Sequence, residues 1–296
     1  MALHPQSRAA LAQTAAEPSV TDPAYDISAA RRAAREEAAR EPREEVAEVR
    51  DVDADGVPCR LHRPAGAGDD VIVHLHGGGF VFNDVDVHDA AARRLANRAG
   101  TSVLSVDYRR PPEHRFPAAP DDVDTALAWL DREGEALGLA GAAYAHGDSA
   151  GANLALVAAL RNPGRFAALA LIYPFLDPTA GFDSYRTAAD GFEPAEAAWY
   201  WQQYAATPAD LTDPDLAPLR SDRLATLPPT LVVTAEHDPL RDEGERLAEL
   251  LAESGVSVVA TRYLGLVHGF WRHSQLFDAA EPLTRQVAGF LSQHRP

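Results

Sequence analysis

A serine between two glycines is the first feature of this sequence that could do chemistry. Gly147 and Gly151 flank Ser149 in the stretch AYAHGDSAGANLAL, which matches the pattern G-x-S-x-G. An apolar run precedes the serine and a helix-forming run follows it. Small flanking residues let the backbone turn sharply from a strand into a helix, which lifts the serine above a sheet. The pattern predicts a nucleophile at Ser149, and its alternative is a glycine-rich turn without chemistry.

A nucleophilic serine needs a histidine that takes its proton and a carboxylate that orients the histidine. Asp238 lies in the loop after the apolar run TLVVTA, and His268 follows the run SVVATRYL. In the chain order serine, acid, histidine, both residues would lie beside Ser149 at the carboxyl edge of a sheet. We therefore predict Ser149, Asp238 and His268 as the catalytic residues. The rival acids and bases fit this loop placement less well; they are Glu236, Asp242, His237 and His273.

A glycine loop supplies the third chemical element. The stretch HGGGF, residues 76–80, ends the apolar run VIVHLH. Backbone N–H groups of such a loop, with the N–H of Ala150, could bind the oxyanion that forms during acyl transfer. The predicted oxyanion hole is made by two N–H groups from among Gly77, Gly78 and Gly79, together with the N–H of Ala150. A phosphate-binding loop is disfavoured, because G-x-G-x-x-G is missing and the chain contains no lysine for a Walker motif.

Metal and disulfide chemistry have little support in the sequence. His74 and His76 alternate along a predicted strand, so they face opposite ways and form a poor pair of metal ligands. The single cysteine, Cys59, excludes an intrachain disulfide and a cysteine-based zinc site. We predict no metal and no cofactor.

The elements that must position these residues alternate between strand and helix. Strands are predicted near residues 45–52, 57–63, 71–76, 101–108, 142–146, 166–174, 230–235 and 257–264. Helices are predicted near residues 28–40, 121–132, 150–160, 196–204, 241–253 and 280–293. This alternation predicts an α/β fold, with a mostly parallel sheet covered by helices on both faces.

One segment interrupts the alternation. Residues 177–225 lie between two predicted strands and are rich in aromatic residues and prolines. An insertion at the carboxyl end of a strand is a candidate cap, because α/β sheets bind ligands at that edge. The aromatic residues predicted to bind substrate are Phe80, Trp199, Tyr200 and Tyr204. The alternative is that these rings only pack the insertion onto the domain.

Composition excludes several classes of partner. The formal net charge is −17, which disfavours a polyanion such as DNA, and no basic cluster offsets it. The first twenty residues contain no long apolar stretch of the kind found in signal peptides, and no run approaches the ~18 apolar residues of a membrane span. These observations predict a cytoplasmic protein that binds neither nucleic acid nor membrane.

Linked motifs now allow a comparison with a known family. The sequence resembles the hormone-sensitive-lipase-like bacterial esterases, family IV carboxylesterases within the α/β-hydrolase superfamily. The resemblance rests on the segments HLHGGGFVFNDVDVHD, VDYRRPPEHRFPAAPDD, HGDSAGANLAL, EHDPLRDEG and HGF. It runs from about residue 71 to the end, and its departures, such as Arg110-Pro111 and Ala152, do not touch the predicted chemistry.

The resemblance implies roles and boundaries for this chain. It implies a nucleophile at Ser149, a base at His268, an orienting acid at Asp238, and supporting roles for His76 and Asp148. A catalytic domain would comprise residues 46–176 and 226–296. A helical cap would comprise residues 1–45 and 177–225.

The expected activity is hydrolysis of short- to medium-chain acyl esters through an acyl-enzyme. The partner would be a small-molecule ester, and a homodimer is left open. The alternatives are hydrolysis of amides or carbamates at the same three residues, and a binding protein of the same fold without activity. The retained His268 disfavours the second alternative.

Overall fold

A single eight-stranded sheet forms the centre of the computed structural model, which describes residues 2–296. The strands are β1 (Glu48–Ala54), β2 (Val57–Arg63), β3 (Val71–Leu75), β4 (Ser102–Val106), β5 (Ala143–Asp148), β6 (Ala168–Ile172), β7 (Thr230–His237) and β8 (Val258–Val267). They lie in the order β1-β2-β4-β3-β5-β6-β7-β8. The pairs β1–β2 and β2–β4 are antiparallel and the other pairs are parallel, which confirms the predicted α/β class.

Helices cover both faces of this sheet. They are α1 (Pro5–Thr14), α2 (Ile27–Ala38), α3 (Asp89–Ala99), α4 (Ala118–Glu133), α5 (Ala150–Arg161), α6 (Ser184–Thr187), α7 (Pro194–Tyr204), α8 (Arg241–Glu253) and α9 (Ala280–Gln293). Ile72 packs in the hydrophobic cluster with α3 and α9, whereas Val73 packs in the cluster with α4, α5 and α8. Side chains alternate across a strand, so a strand that is apolar on both sides is buried between two helical layers.

The amino-terminal helices are attached near the carboxyl edge of the sheet. The N–H of His4, just before α1, donates to the carbonyl of Gly265 in β8 at 2.8 Å. Arg31 in α2 donates to the carbonyl of Val81, in the loop after β3, at 2.9 Å. Both helices therefore lie close to the loops that contain the predicted chemistry.

Most predicted elements occur within a few residues of their expected ends, and three helices, α1, α3 and the one-turn α6, are additional. The predicted helices at 241–253 and 280–293 coincide with α8 and α9. The sequence patterns do not predict α1 or α3, because α1 has no clear apolar face and α3 buries mainly alanines. No helix in residues 2–296 is long and apolar enough to cross a membrane.

Candidate active site

Ser149 lies at a tight turn between β5 and α5. Its φ is 55° and its ψ is −121°, a conformation that non-glycine residues rarely adopt. The turn depends on its two glycines: a Cβ at Gly147 would lie 2.2 Å from the carbonyl oxygen of Gly151, and one at Gly151 would lie 2.0 Å from that of Leu75. The strained backbone and the close approach together place the serine hydroxyl at the start of a helix, beside the end of β3.

The three predicted catalytic residues form one hydrogen-bonded chain. His268 Nε2 lies 2.9 Å from Ser149 Oγ, and His268 Nδ1 lies 2.8 Å from Asp238 Oδ2. Because a carboxylate only accepts hydrogen bonds, the ring proton belongs on Nδ1, and Nε2 is then free to accept the serine proton. Asp238 is fully buried, and its other oxygen accepts the N–H of Leu240 at 2.8 Å, so the carboxylate orientation is fixed.

The rival acids and bases are engaged elsewhere in the fold. Glu236 lies in β7 and Asp242 in α8, as their sequence positions suggested. Their contacts join Glu236 to the N–H of Gly265 at 2.7 Å, Asp242 to the N–H of Ser184 at 2.8 Å, and His237 to Asp190 at 2.7 Å. His273 Nε2 lies 2.9 Å from the Arg272 guanidinium, and burial lowers the pKa of His273 to about 3, so this ring is a weak base.

Three of the four predicted oxyanion donors are available. Within residues 2–296, the N–H groups of Gly78, Gly79 and Ala150 donate to no other group. Gly77 is different, because its N–H donates to Asp148 Oδ1 at 2.9 Å. The expectation that Gly77 contributes a donor is therefore corrected: its N–H already has a partner and fixes the loop instead.

The conformation of the glycine loop excludes side chains at two positions. Gly78 and Gly79 have φ values of 124° and 58°. A Cβ at Gly78 would lie 2.4 Å from the carbonyl oxygen of Phe82, and one at Gly79 would lie 2.1 Å from the ring of Tyr200. The loop thus passes close to the ring of Tyr200 in α7, with the N–H groups of Gly78 and Gly79 unpaired.

His76 and Asp148 hold the loop from behind. The His76 ring stacks on Tyr108 with centroids 4.2 Å apart, and its Nδ1 lies 3.0 Å from the carbonyl oxygen of Gly77. Burial lowers the pKa of His76 to about 3 and raises the pKa of Asp148 to about 6, because each charged form loses solvation. Both residues therefore lie where a supporting role requires them.

A cavity of about 730 Å³ opens above Ser149 and His268. Its floor, as we use the term, comprises Gly78, Gly79, Asp148, Ser149 and His268, together with Gly77 and Asp238, which hydrogen-bond to Asp148 and His268. Its roof comprises Leu11, Val20, Tyr25, Phe192 and Tyr200. The roof residues come from the amino-terminal segment and from the insertion after β6, which are far apart in the sequence.

Only one of the four predicted substrate-binding aromatics lines this cavity. Tyr200 does so, whereas Phe80 and Tyr204 are fully buried and stack on each other with centroids 3.8 Å apart. Trp199 is half-buried and stacks on Phe82 instead, at 6.2 Å. The expectation for Phe80 and Tyr204 is corrected, because their rings fill the hydrophobic core, and Trp199 does not line the cavity either.

Sequence reasoning missed most of the roof. Phe82 and Asn83 also line the cavity and follow the glycine loop directly, so proximity to that loop was an available signal. The local pattern around Leu11, Val20 and Tyr25 offered no such signal. Only the family resemblance, which implies a cap that includes residues 1–45, indicated that this segment covers the sheet.

A buried group of potential metal ligands lies next to the floor. One ligand atom each from His74, His88 and Asp148 falls within 4.8 Å of the other two. Two of these residues already have other partners: Asp148 Oδ1 accepts the N–H of Gly77 at 2.9 Å, and His74 Nδ1 lies 2.9 Å from His146 Nδ1. His76, which the sequence predicts to form a poor pair of metal ligands with His74, does not belong to this group.

Comparisons with known proteins agree with this geometry. Residues 72–272 match a family model described as alpha/beta hydrolase fold. The chain is 36% identical over 257 residues to an ethyl acetate hydrolase of Pseudomonas putida, covering 82% of this chain and 80% of that protein. It is 37% identical over 253 residues to the carboxylic ester hydrolase LipN of Mycobacterium tuberculosis, covering 80% and 67%. A hyperthermophilic esterase from Pyrobaculum calidifontis superposes with a TM-score of 0.88 at 35% identity, covering 100% of both chains.

Proposed function

We propose that this chain, which belongs to the α/β-hydrolase fold family and is a carboxylic ester hydrolase, works through Ser149 as its nucleophile. The family and the ester chemistry follow from the match over most of the chain and from relatives named for that activity. The resemblance to hormone-sensitive-lipase-like esterases is thereby confirmed. The residue roles and the substrate range are proposals.

The reaction begins with attack of Ser149 Oγ on the ester carbonyl carbon. His268 Nε2 takes the hydroxyl proton, and Asp238 stabilises the imidazolium that forms. The carbonyl oxygen becomes an oxyanion, which accepts hydrogen bonds from the free N–H groups of Gly78, Gly79 and Ala150. The tetrahedral intermediate then collapses: the bond to the alcohol oxygen breaks, and His268 returns the proton to the leaving alcohol.

Deacylation repeats these steps with water. His268 accepts a proton from water, whose oxygen attacks the acyl carbon of the ester on Ser149. The second tetrahedral intermediate collapses, releasing the carboxylic acid and restoring the serine hydroxyl. The observation that carries this mechanism is the chain of two contacts, 2.9 Å and 2.8 Å, that joins Ser149 to Asp238 through His268.

The direct test is the variant Ser149→Ala. We expect it to lose p-nitrophenyl butyrate turnover on the order of 10⁴-fold or more, because no other group can form the acyl-enzyme. Ser102→Ala, at a buried strand serine away from the cavity, is the matched control and should keep most activity. Retention of most activity by Ser149→Ala would refute the assignment.

The finer proposal is a preference for short- to medium-chain acyl groups. It is supported by a cavity of about 730 Å³ with an aromatic and aliphatic roof, a size in the range that holds one small ligand. A series of p-nitrophenyl esters from acetate to palmitate tests it. We expect kcat/KM to peak between two and eight carbons and to fall beyond; a maximum at palmitate would overturn the preference.

We also propose that residues 1–45 and 177–225 act together as a cap. Both segments contribute roof residues, among them Leu11 and Tyr200.

A homodimer is a separate proposal, supported by Val259 and Leu264, which are 45% and 56% exposed on the edge strand β8. Light scattering after gel filtration tests it, and a monomer at micromolar concentration would rule it out.

A further inference from the structure

A ring of polar contacts surrounds Gly77: one contact is to the N–H of the His76–Gly77 peptide and the other is to the carbonyl of the Gly77–Gly78 peptide. On one side, Asp148 Oδ1 accepts the N–H of Gly77 at 2.9 Å. On the other side, the side-chain amide of Asn83 donates to the carbonyl oxygen of Gly77 at 3.2 Å. His88 lies between these two side chains, with Nε2 3.5 Å from the Asn83 amide nitrogen and Nδ1 3.7 Å from Asp148 Oδ1. The proposed reaction of Ser149, His268 and Asp238 assigns no role to His88.

The contacts determine which nitrogen of His88 carries the proton. The Asn83 amide nitrogen can only donate, so His88 Nε2 is the acceptor and the proton is on Nδ1, facing Asp148. Burial holds the pKa of His88 well below its usual value, which keeps the ring neutral in this tautomer. Nδ1 is buried without a partner at its present distance, and an unpaired buried donor costs about 1–3 kcal/mol. Asp148 Oδ1, at 3.7 Å, is the acceptor that faces this donor.

The ring of contacts fixes the direction of one oxyanion donor, the N–H of Gly78. In a trans peptide the C=O and the following N–H point in opposite directions. Asn83 holds the carbonyl of Gly77, so it also fixes the direction of the Gly78 N–H. The backbone of the loop holds the carbonyl of Gly78, which accepts the N–H groups of Val81 and Phe82 at 3.1 and 2.8 Å. The carbonyl of Gly77 is held by side chains, because His76 Nδ1 also lies 3.0 Å from it. An oxyanion hole stabilises the transition state only when its donors are held in place beforehand.

His88 and Asn83 are themselves held firmly. His88 immediately precedes α3, and its N–H donates to the carbonyl of Asp84 at 3.1 Å. Asn83 has a φ of 62°, which asparagine tolerates, and its carbonyl accepts a hydrogen bond from Arg110 at 2.6 Å. The frame around the glycine loop is therefore anchored to the sheet and to a helix.

We propose that His88 is a positioning residue for the oxyanion hole: it keeps Asp148 on the N–H of Gly77 and Asn83 on the carbonyl of Gly77. This inference rests on the proposed function, because it takes the Gly78 N–H as a donor to the substrate oxyanion. His88 lines the cavity, but its described side-chain contacts are with Asn83 and Asp148 and not with Ser149. His88 affects the reaction only by helping to orient the N–H of Gly78.

The test compares His88→Leu with His88→Asn. Leucine keeps bulk but removes both ring nitrogens, whereas the asparagine amide places an N–H donor near the position of Nδ1. For His88→Leu we expect kcat for p-nitrophenyl butyrate to fall about 10- to 100-fold, with KM changed less than about twofold. For His88→Asn we expect a smaller fall in kcat, such that log kcat lies at least about halfway from the value of His88→Leu back to that of the wild type.

A transition-state analogue separates positioning from a merely structural role. A trifluoromethyl ketone adds to the serine and forms an oxyanion, so its affinity should fall in His88→Leu by about the same factor as kcat. His74→Leu is the matched control: its ring lies 5.6 Å from that of His88, and its described hydrogen bond is to His146. Its ketone affinity should stay near that of the wild type.

Two outcomes would overturn the inference. One is wild-type ketone affinity in His88→Leu, and the other is an equal loss in His74→Leu. If His88→Leu does not fold, Asn83→Gly provides the same test, since glycine accepts the φ of 62° and removes the amide. Failure of the proposed function is distinguishable, because wild-type protein would then lack a Ser149 adduct with the ketone.

Discussion

The floor and the roof of the cavity are stabilised by different physical interactions. The floor consists of loops in which backbone groups and buried side chains pair one to one, as Gly77 does with Asp148 at 2.9 Å. The roof consists of rings and aliphatic side chains that pack by shape, as Phe192 does on Tyr200 with centroids 6.0 Å apart. Hydrogen bonds are directional and lose their value over a few tenths of an ångström, whereas apolar contacts tolerate rearrangement.

This difference indicates that the floor and the roof have different functions. The floor has to hold charge that develops during the reaction, which requires fixed donors and acceptors. The roof has to accommodate the acyl and alcohol groups, which requires only volume and apolar surface. Substitutions in the floor should therefore change kcat, and substitutions in the roof should change which ester is preferred.

The largest effect that the comparison predicts is at Asp238. Asp238→Asn keeps the size of the side chain, but it favours the wrong tautomer of His268, so we expect kcat to fall about 10⁴-fold. KM should change little, because the roof is untouched. Steady-state kinetics with p-nitrophenyl butyrate measure both constants.

Asp242→Asn is the control for that substitution. Asp242 accepts the N–H of Ser184 at 2.8 Å and lies in α8, so its loss should cost less than about tenfold in kcat. Equal losses in the two variants would show that the acid has been assigned to the wrong residue.

A smaller effect is expected from Asp148, as a change of stability with pH. Burial raises the pKa of this carboxyl from 3.8 to about 6, so between these pH values the folded protein binds more protons than the unfolded chain. The free energy of unfolding therefore decreases as pH rises from about 4 to 6, by at most about 3 kcal/mol from this one group.

Asp148→Asn removes that titration while its amide oxygen can still accept the N–H of Gly77. We expect urea unfolding to show the variant gaining stability relative to wild type as pH rises from 4 to 6, and a constant difference above pH 7. Nearby Arg272 and His268 remain in both proteins. Parallel curves for the two proteins over the whole range would contradict the assignment of a buried, shifted carboxyl.

The smallest effect concerns the two aromatic residues that separate the roof from the core. Tyr200 lines the cavity, whereas Phe80 is fully buried. Tyr200→Leu should shift the preferred acyl chain toward longer esters, by about tenfold in the ratio of kcat/KM for octanoate over acetate. Phe80→Leu should lower the midpoint of thermal unfolding and leave that ratio within about twofold. If Phe80→Leu changed the ratio and Tyr200→Leu did not, the floor–roof division would be wrong at this point.

The floor could be predicted from the sequence to a large extent because its geometry is local. Ser149, Asp238 and His268 each follow a strand within a few residues, and parallel strands bring their carboxyl ends to one edge. The error at Gly77 arose from a contact with Asp148, 71 residues away, which local pattern cannot show. Three adjacent glycines look equivalent in a sequence, although only two keep a free N–H.

The roof could be predicted much less well, because packing decides which ring faces the cavity. Phe80 and Tyr204 stack with an interplanar angle of 3°, and this pairing removes both from the cavity. Residues 11–25 contribute to the roof because hydrogen bonds attach the segment before α1 to β8, and α2 to the loop after β3. Such contacts between distant segments depend on the whole fold.

The central claim, that Ser149 is the nucleophile, has one most direct measurement. An organophosphate ester such as diethyl p-nitrophenyl phosphate phosphorylates an activated serine irreversibly, and intact-protein and peptide mass spectrometry locate the adduct. We expect one diethylphosphoryl group per chain, on Ser149, with activity lost in proportion to labelling. We expect no adduct in Ser149→Ala and slow labelling in Asp238→Asn. An adduct on another residue, or full inactivation with Ser149 unmodified, would contradict the account.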